Sequence, residues 1–259
     1  MSRAVLVTGA SRGIGRATAR AFAASGDRVA IHHRDSADLA TGLVAELAGE
    51  GHVVVQGDLG DPAAVRNFVD AAAHGLGGSL DVVVNNAAVF PKHPIDFVAS
   101  LGDKSAAASD YDGWQKAWQE TIGVNLIGPA NVIWCAVRHM RPGGRIVNVS
   151  SRGAFRGEPE QPAYGASKAG LNALGQSLAV ALAPRGITVT AVAPGFVETD
   201  MANEHLKAPR GAEIRAQSPF NRVAQPEEIA AAIHWLASPG AEWASGAVLD
   251  LNGASYLRT

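Results

Sequence analysis

The stretch AVLVTGASRGIGRATARAFAASG, residues 4–26, decides the fold of this chain. Its beginning, Ala4–Thr8, is a short apolar run typical of a buried parallel strand. Gly9, Gly13 and Gly15 follow in the turn into a helix, where glycine permits positive φ angles and lets a backbone approach a pyrophosphate. The spacing Gly-x-x-x-Gly-x-Gly differs from the G-x-G-x-x-G fingerprint, and three glycines could simply make a tight turn. Because they come directly after a strand, they favour dinucleotide binding.

Short apolar runs alternate with helical patterns along the rest of the chain. The alternation predicts an α/β fold, a Rossmann-like doubly wound parallel sheet of about seven strands with helices on both faces. Without a repeat or linker, residues 1–259 are expected to form a single NAD(P)-binding domain that includes the catalytic site. Asp61 and Gln225 are predicted helix N-caps. The predicted strands lie near 4–8, 28–32, 52–56, 80–85, 143–150, 186–193 and 246–251, and the predicted helices near 13–25, 36–49, 62–77, 112–140, 162–184 and 226–238.

Composition and charge argue against several classes of function. The chain has 259 residues, of which 47% are hydrophobic, and its net charge of −2 gives no reason to expect nucleic acid or an anionic membrane as a partner. Cys135, the single cysteine, lies in an apolar stretch and is interpreted as a buried thiol. No apolar run is long enough to span a membrane, and the first residues enter a strand at once. We therefore expect a cytoplasmic protein without a bound metal.

The stretch SSRGAFRGEPEQPAYGASKAG, residues 150–170, carries candidate catalytic residues. Tyr164 and Lys168 are four residues apart and share one face of a predicted helix. Lowering a tyrosine pKa from about 10 to about 7 takes roughly 4 kcal/mol, which one positive charge at ~4–5 Å supplies at an effective dielectric of ~20. Ser151 ends a predicted strand and could donate a hydrogen bond to a carbonyl oxygen. The alternative is an ordinary amphipathic helix with a surface Tyr–Lys pair.

Six motifs together resemble those of the short-chain dehydrogenases/reductases, in the same order and spacing. They are T-G-x-x-x-G-I-G at Thr8–Gly15, N-N-A-A at Asn85–Ala88, Asn125, Ser151, Y-x-A-S-K at Tyr164–Lys168 and P-G at Pro194–Gly195. The resemblance covers essentially the whole chain and points to bacterial reductases of the 3-oxoacyl-carrier-protein and sugar-alcohol or steroid type. It implies hydride transfer between a nicotinamide cofactor and a small-molecule carbonyl or alcohol, with a tyrosine as proton donor or acceptor.

The resemblance also implies roles for individual residues. The catalytic residues would be Ser151, Tyr164, Lys168 and Asn125, with Asn125 kinking a helix and anchoring a water that relays protons to the lysine. Lys168 would in addition hold the nicotinamide ribose. The expected cofactor-binding residues are Gly9, Ser11, Arg12, Gly13, Ile14, Gly15, His33, Arg34, Asp58, Leu59, Asn86, Ala87, Tyr164, Lys168, Pro194, Gly195, Val197 and Thr199.

The charges after the second strand favour NADP(H) over NAD(H). In NAD-binding sites an acidic residue at this position takes the ribose hydroxyls. Here the strand ends in His32, His33 and Arg34, and Arg12 in the glycine turn adds a second guanidinium within reach of a 2′-phosphate. Asp35 could serve the ribose, but we interpret it as a helix N-cap because it precedes Ser36 and a helical run.

Two features bear on the substrate. The segment between Asn86 and Asn125 is longer than in compact relatives, and its part Phe90–Phe97 is predicted to form a wall of the site, although solvated decoration is an alternative. The charged residues that follow Ser151 could bind a carboxylate or phosphate of the substrate, or could form internal salt bridges at the rim. The near balance of their signs favours internal pairing; these residues are Arg152, Arg156, Glu158 and Glu160.

Apolar residues in two helices predict self-association. The helix predicted at 112–140 and the helix after Tyr164 carry more apolar residues than one sheet-facing stripe requires. In the family that the chain resembles, these helices pair across a two-fold axis, and the final helix and strand complete a tetramer. We therefore predict a homotetramer, with a dimer as the fallback.

Two other classes of function remain alternatives. A catalytically silent NADP(H)-binding sensor or scaffold of the same fold would usually lack the Ser, Tyr or Lys, and all three are present here. An epimerase or dehydratase of related fold would generally carry a longer carboxyl-terminal substrate domain. Catalytic oxidoreduction is therefore the favoured interpretation.

Overall fold

Seven parallel strands form one sheet in the computed structural model, which describes residues 2–95, 110–200, 206 and 211–258. The strand order is β3-β2-β1-β4-β5-β6-β7, so the connection direction reverses between β1 and β4. In such sheets a crevice forms at this reversal, outside the carboxyl ends of the strands. The predicted doubly wound fold is confirmed. The strands are β1 Ala4–Val7, β2 Arg28–His33, β3 Val53–Gln56, β4 Leu80–Asn85, β5 Met140–Val149, β6 Thr188–Pro194 and β7 Val248–Leu251.

The described part of the chain contains helices on both faces of the sheet. The predicted long helices are present, whereas α6 and α8 were not predicted because four and six residues are too few to show a helical period. The helices are α1 Gly13–Ala24, α2 Ala37–Glu46, α3 Pro62–Gly75, α4 Tyr111–Ile122, α5 Gly128–Ala136, α6 Gly153–Arg156, α7 Pro162–Leu182, α8 Gly211–Ala216 and α9 Pro226–Leu236.

Two hydrophobic cores sandwich the sheet. Leu6 of β1 packs on one face with Phe68 of α3 and residues of α5 and α7. Its neighbours Val5 and Val7 pack on the other face with Phe22 of α1 and residues of α2 and α9. Because both faces are covered, β1 is apolar throughout rather than alternating, as expected for a central parallel strand. Cys135 is buried in the first core, as predicted.

The helix predicted at 112–140 is interrupted in the structure. A π-helical turn, Gly123–Ile127, separates α4 from α5, and α5 ends at Ala136 rather than at residue 140. Hydrophobic periodicity does not register a single added residue within an otherwise apolar helix, so the sequence pattern showed one element. Met140, which was placed in this helix, begins β5 instead.

Two of the three predicted N-caps are confirmed. The Asp61 side chain accepts hydrogen bonds from the first turn of α3, and Gln225 forms a capping box with Glu228 at the start of α9. The prediction for Asp35 is wrong. Helix α2 begins at Ala37 and Ser36 occupies the N-cap position, which leaves the Asp35 carboxylate outside the helix.

The described residues contain no helix long and apolar enough to cross a membrane. They also contain no group of three or more histidine, cysteine, aspartate or glutamate side chains that could hold a metal ion.

Candidate active site

The turn between β1 and α1 has a conformation that requires glycine. Gly9 has φ +62° and Gly13 has φ +55°, both in the left-handed region. A Cβ atom at Gly15 would collide with the carbonyl oxygen of Gly9 and lie 2.6 Å from Nδ2 of Asn86. The first turn of α1 contains no acidic residue. The turn therefore forms a bare backbone surface at a helix N-terminus, which suits an anionic group.

Side chains after β4 hold this turn in place. Nδ2 of Asn86 donates hydrogen bonds to the carbonyl oxygens of Thr8 and Gly9, at 2.9 and 3.1 Å. In return, Oγ1 of Thr8 accepts from the backbone N–H groups of Asn86 and Ala87, at 3.0 and 3.1 Å. The glycine turn and the carboxyl end of β4 thus form one hydrogen-bonded unit.

His32 is a positioning residue that the sequence reasoning missed. Its Nδ1 accepts the backbone N–H of Gly9 at 3.1 Å, and its Nε2 donates to the carbonyl oxygen of Gly57 at 3.0 Å. This pair of bonds requires a neutral imidazole, and burial lowers the pKa of His32 to about 4. The ring packs against Phe68. A histidine inside the apolar strand beside the glycine turn was the available signal.

A cleft runs along the glycine turn, and charged side chains line the end of the cleft next to this turn. Arg12, His33, Arg34 and Asp58 all line it, as predicted. The Nδ1 atom of His33 is buried without a hydrogen-bond partner in the described part of the chain. Nε of Arg34 donates to Oδ2 of Asp35 at 2.6 Å, and this hydrogen bond raises the pKa of Arg34. The exposed Asp35 therefore partly neutralises one of the two guanidinium groups.

Ser151, Tyr164 and Lys168 meet at the other end of the same cleft. Ser151 follows β5, and its Oγ accepts the backbone N–H of Gly153 at 3.0 Å. Tyr164 and Lys168 lie on α7, and the Lys168 Nζ is 5.6 Å from the centre of the Tyr164 ring. That Nζ donates to the backbone carbonyl oxygen of Val149 at 2.8 Å. The sequence pattern correctly placed these three side chains together.

The pKa shifts of Tyr164 and Lys168 differ from the prediction. Burial raises the pKa of Tyr164 to about 12, opposed by a hydrogen bond with Ser151. Burial lowers the pKa of Lys168 to about 8. The predicted lowering of the Tyr164 pKa by Lys168 is therefore wrong for this structure, because the lysine is directed to Val149 and loss of solvation penalises both charged forms. Tyr164 carries its proton at neutral pH.

Asn125 and Gly15 are predicted site residues that do not line the cleft. Asn125 is fully buried in the π-helical turn, where its Oδ1 accepts the N–H of Val89 at 2.8 Å and its Nδ2 donates to the Val89 carbonyl oxygen at 2.9 Å. Nδ2 also lies 3.3 Å from Oγ of Ser167 on α7. Asn125 therefore joins the segment after β4 to the helix that carries Tyr164, and its proton-relay role stays a prediction.

The segment after β4 packs against the catalytic helix. The Phe90 ring meets the Tyr164 ring edge-on, with 4.4 Å between their centres. His93 is fully buried beside Trp114 and Trp118, and its Nε2 accepts the N–H of Ala163 at 3.1 Å, in the first turn of α7. The prediction of a wall is confirmed at Phe90, which lines the cleft. Phe97 and the rest of the long segment up to residue 109 lie outside the described residues.

The charged residues after Ser151 do not pair with one another. Arg152 and Arg156 both donate to Oε1 of Gln217, and Glu160 lies 3.4 Å from Nζ of Lys92. Glu158 lines the cleft, and burial raises its pKa. Internal salt bridging at the rim is confirmed only for Glu160, whose partner is Lys92, whereas Arg152 and Arg156 donate to the neutral Gln217.

The end at the glycine turn and the end at Tyr164 belong to one cleft with a volume of about 380 Å³ at the carboxyl edge of the sheet. The fold and the cleft define a dinucleotide-binding oxidoreductase. The predicted site residues that line the cleft are Gly9, Ser11, Arg12, Gly13, Ile14, His33, Arg34, Asp58, Leu59, Asn86, Ala87, Ser151, Tyr164, Lys168, Pro194, Gly195, Val197 and Thr199.

Comparison with known proteins identifies the family. A family model described as enoyl-(acyl carrier protein) reductase matches residues 9–253. The chain is 36% identical to an L-rhamnose 1-dehydrogenase (NAD(P)(+)) of Azotobacter vinelandii over 99% of this chain and 98% of that protein. It is 34% identical to a 3-oxoacyl-[acyl-carrier-protein] reductase of Staphylococcus aureus, with 99% of each covered. The chain therefore belongs to the short-chain dehydrogenase/reductase family, as an oxidoreductase acting on CH–OH groups.

Other relatives agree with this assignment. A short-chain type dehydrogenase/reductase of Sinorhizobium fredii is 38% identical over 97% of this chain, which spans 43% of that protein's length. Among solved structures, a short-chain dehydrogenase of Burkholderia cenocepacia in complex with NADP superimposes with a TM-score of 0.84, at 34% identity over 98% of this chain and 97% of that one.

Proposed function

We propose that the protein is an NADP(H)-dependent oxidoreductase that interconverts a ketone and a secondary alcohol. The observation that carries the proposal is the meeting of Ser151, Tyr164 and Lys168 with the glycine turn in one cleft. A hydroxyl, a phenol and an amine placed opposite an anion-binding backbone surface can bind a carbonyl oxygen and transfer a proton to it beside a bound dinucleotide.

The residues present fit such a cofactor. The bare turn, with no room for a side chain at Gly15, would hold the pyrophosphate, together with Ser11 and Ile14. Arg12, His33 and Arg34 would hold a 2′-phosphate, which supports NADP(H) over NAD(H). Relatives agree with a phosphorylated cofactor, since the Burkholderia cenocepacia structure contains NADP. The remaining contacts would come from Asp58, Leu59, Asn86, Ala87, Pro194, Gly195, Val197 and Thr199.

The chain's own side chains then bind the substrate oxygen and transfer a proton to it, while the bound dinucleotide supplies or accepts the hydride. Oγ of Ser151 accepts the Gly153 N–H, so its hydroxyl hydrogen, which is shared with Tyr164 in this structure, would donate to the substrate oxygen once a substrate is bound. Tyr164, protonated at neutral pH, donates its proton to that oxygen during reduction. Lys168 would hold the ribose hydroxyls of the bound cofactor, and Asn125 positions Val89 and α7.

Replacement of Tyr164 tests the catalytic assignment. NADPH oxidation would be screened over ketones, 3-oxoacyl thioesters, diketones and quinones. Tyr164→Phe should leave NADPH affinity nearly unchanged and reduce turnover by roughly 1000-fold, because it removes the proton donor. Tyr111→Phe, at an exposed residue outside the cleft, is the matched control. More than a tenth of wild-type turnover in Tyr164→Phe would contradict the assignment.

Paired arginine variants test the cofactor. Arg12→Ala combined with Arg34→Ala should weaken NADPH binding about 100-fold and leave NADH binding nearly unchanged, because only NADPH carries the 2′-phosphate. Arg20→Ala, whose guanidinium pairs with Glu46 outside the cleft, is the control. Equal calorimetric affinity of the unmodified protein for NADH and NADPH would contradict this part of the proposal.

We also propose a cytoplasmic homotetramer, with a dimer as the fallback, built from a single domain. Support comes from exposed apolar side chains on α5 and α7, where Trp134 is 50% and Val180 78% exposed, and near β7, where Trp243 is fully exposed. Light scattering at micromolar concentration should give a multiple of the 26.7 kDa chain mass. A monomer mass, or two separate unfolding transitions, would contradict the proposed assembly or the single domain respectively.

A further inference from the structure

Arg152 lies at the boundary between two cavities. It follows Ser151 directly and lines the catalytic cleft. It also lines a second cavity of about 570 Å³, formed by α8, the start of α9 and the carboxyl-terminal segment 250–258. Phe196 is shared between the two cavities in the same way. A group bound at Arg152 would therefore lie between the second cavity and the cleft that contains Ser151.

The direct hydrogen-bond partners of the buried Arg152 guanidinium are neutral. The residue is 5% exposed, and its guanidinium donates to Oγ of Ser255 and, at 2.6 Å, to Oε1 of Gln217. Its central carbon lies 5.0 Å from the centre of the Phe196 ring. No carboxylate of the described residues lies within ion-pair distance of it.

The other arginines of the second cavity are paired. Arg222 lies 2.6 Å from Glu228, and Arg258 lies 2.7 Å from Asp250. Only Arg152, among the described residues that line this cavity, is a cation without a carboxylate partner. Arg152 therefore lacks the carboxylate partner that Arg222 and Arg258 have, although all three guanidinium groups line the second cavity.

A buried cation without a counter-ion destabilises the protein that contains it. Burial and the nearby Arg156 lower the pKa of Arg152 to about 10, opposed by the Glu158 carboxyl, and this leaves Arg152 charged at neutral pH. Glu158 lines the same cleft but forms no ion pair with Arg152, and burial raises the pKa of that carboxyl. The chain thus holds a desolvated positive charge at the edge of the catalytic cleft that Glu158 offsets only from a distance.

We propose that Arg152 binds an anionic group of the substrate, a carboxylate or a phosphate, so that the enzyme acts on small oxo or hydroxy compounds carrying this anion close to the reacting carbon. The inference rests on the proposed function, because Ser151 and Tyr164 place the carbonyl. A guanidinium offers paired N–H donors to a carboxylate or phosphate, and these charge-assisted bonds are strongest where water is excluded. Arg152 is then a specificity-determining residue.

Matched substrate pairs test the proposal. Acetoacetate would be compared with its methyl ester, and dihydroxyacetone phosphate with dihydroxyacetone, using kcat/KM for NADPH oxidation. The wild type should prefer at least one anionic member. Arg152→Gln should lower that preference about 10- to 100-fold and change kcat/KM for the neutral member less than about threefold, since it removes a charged hydrogen-bond donor. Arg152→Lys should retain part of the preference, and Arg156→Gln, which also loses a contact to Gln217, should retain all of it.

Gln217→Glu provides a variant that leaves Arg152 in place. A carboxylate at this position would supply the missing counter-ion from within the protein. The preference for the anionic substrate should fall as it does in Arg152→Gln, while kcat/KM for the neutral member is kept. This variant decides the question if Arg152→Gln does not fold.

The outcomes separate this proposal from the proposed function. A wild type that prefers neutral substrates, or a preference that survives Gln217→Glu, would overturn the role of Arg152 while leaving the Tyr164 test intact. If the wild type reduces no ketone, calorimetry with acetate, acetoacetate and inorganic phosphate at saturating NADP⁺ still decides. If the wild type binds one of these anions and Gln217→Glu does not, the result supports the anion subsite without supporting the proposed reaction. If the wild type binds none of them, the anion subsite is overturned.

Discussion

The two ends of the cleft are built in different ways. The end formed by the glycine turn is held by hydrogen bonds to backbone atoms, with Thr8, His32 and Asn86 as the contributing side chains. The end around Tyr164 is held by side chains that join distant segments, such as His93 to Ala163 and Arg152 to Gln217. The glycine conformations of the first end leave a local trace in the sequence, as a spacing, whereas hydrogen bonds between distant segments leave none at either end.

This difference predicts how each end responds to substitution. The glycine turn should tolerate no added atom, and its changes should act on cofactor binding. The end around Tyr164 should tolerate more change, and its variants should act on turnover and substrate choice while cofactor affinity is kept. The following predictions test this contrast, from the largest expected effect to the smallest.

Gly15→Ala should have the largest effect. The added Cβ would collide with backbone at Gly9, so the turn must move. We expect loss of about 3 kcal/mol or more of unfolding free energy and at least ~100-fold weaker cofactor binding. Gly42→Ala in α2 is the matched control, because a Cβ there meets no atom within 4 Å; it should stabilise the protein by about 0.5–1 kcal/mol. Urea unfolding measures the free energy of unfolding and calorimetry measures cofactor binding. Near-wild-type cofactor binding by Gly15→Ala would contradict the proposed difference between the two ends.

His93→Ala should have the next largest effect, at the other end. It opens a cavity beside Trp114 and leaves the buried N–H of Ala163 without its acceptor, which should cost about 2–3 kcal/mol of unfolding free energy. Turnover should fall about tenfold because α7 begins at this point, with cofactor affinity unchanged. His74→Ala, on the exposed side of α3, should change neither quantity. Weakened NADPH binding in His93→Ala would show that the two ends are not separate.

Lys168→Met should stabilise the protein at neutral pH by about 2 kcal/mol while abolishing activity. The folded-state pKa of Lys168 is lowered to about 8 from its ordinary value of 10.5, so the unfolded chain binds more protons between these values. Wild-type stability therefore gains from Lys168 as pH rises from about 8 to 10.5. The advantage of Lys168→Met should shrink across that window. Thermal unfolding at pH 7 and pH 10 checks this, and an advantage independent of pH would contradict it.

Asp35→Asn should have the smallest effect. It removes the carboxylate that pairs with Arg34 at the edge of the cleft. The NADPH-over-NADH preference should rise about threefold, because Arg34 becomes free for the 2′-phosphate. Stability should change by less than about 0.5 kcal/mol, since both partners are exposed. Glu46→Gln, in another exposed arginine pair, is the control. An unchanged or lower NADPH preference would contradict this prediction.

The sequence predicted the sheet, the long helices and the residues lining the cleft, because parallel strands buried on both faces and glycine turns have local signatures. It did not predict α6 or α8, which are shorter than a hydrophobic period needs. The hydrophobic pattern showed one helix over 112–140, and only the family resemblance indicated a kink at Asn125, which lies in the π-helical turn. The cap assigned to Asp35 was wrong because an adjacent arginine competes for its carboxylate. A shift of the helix start by one or two residues decides whether Asp35 caps the helix or pairs with Arg34, and sequence patterns do not locate helix starts that closely.

The electrostatics of the site were the least predictable part. The spacing of Tyr164 and Lys168 indicated a shared helix face correctly, but it carried no information on the desolvation that shifts both pKa values. The charges after Ser151 were balanced in sequence and yet pair with partners elsewhere, because Gln217 and Lys92 approach them only in the fold.

The π-helical turn Gly123–Ile127 makes this part of the chain sensitive to length rather than to composition. The turn holds one residue more than a regular α-helix of the same span needs, so deleting one residue here would let α4 and α5 join as one regular helix with its downstream faces nearly unchanged. The apolar stripe of α5 would stay on the sheet, while the local backbone that directs Asn125 towards Val89 and Ser167 would be lost. A one-residue deletion in these five residues should therefore act on the end of the cleft around Tyr164 through Asn125, and less on the packing of α5.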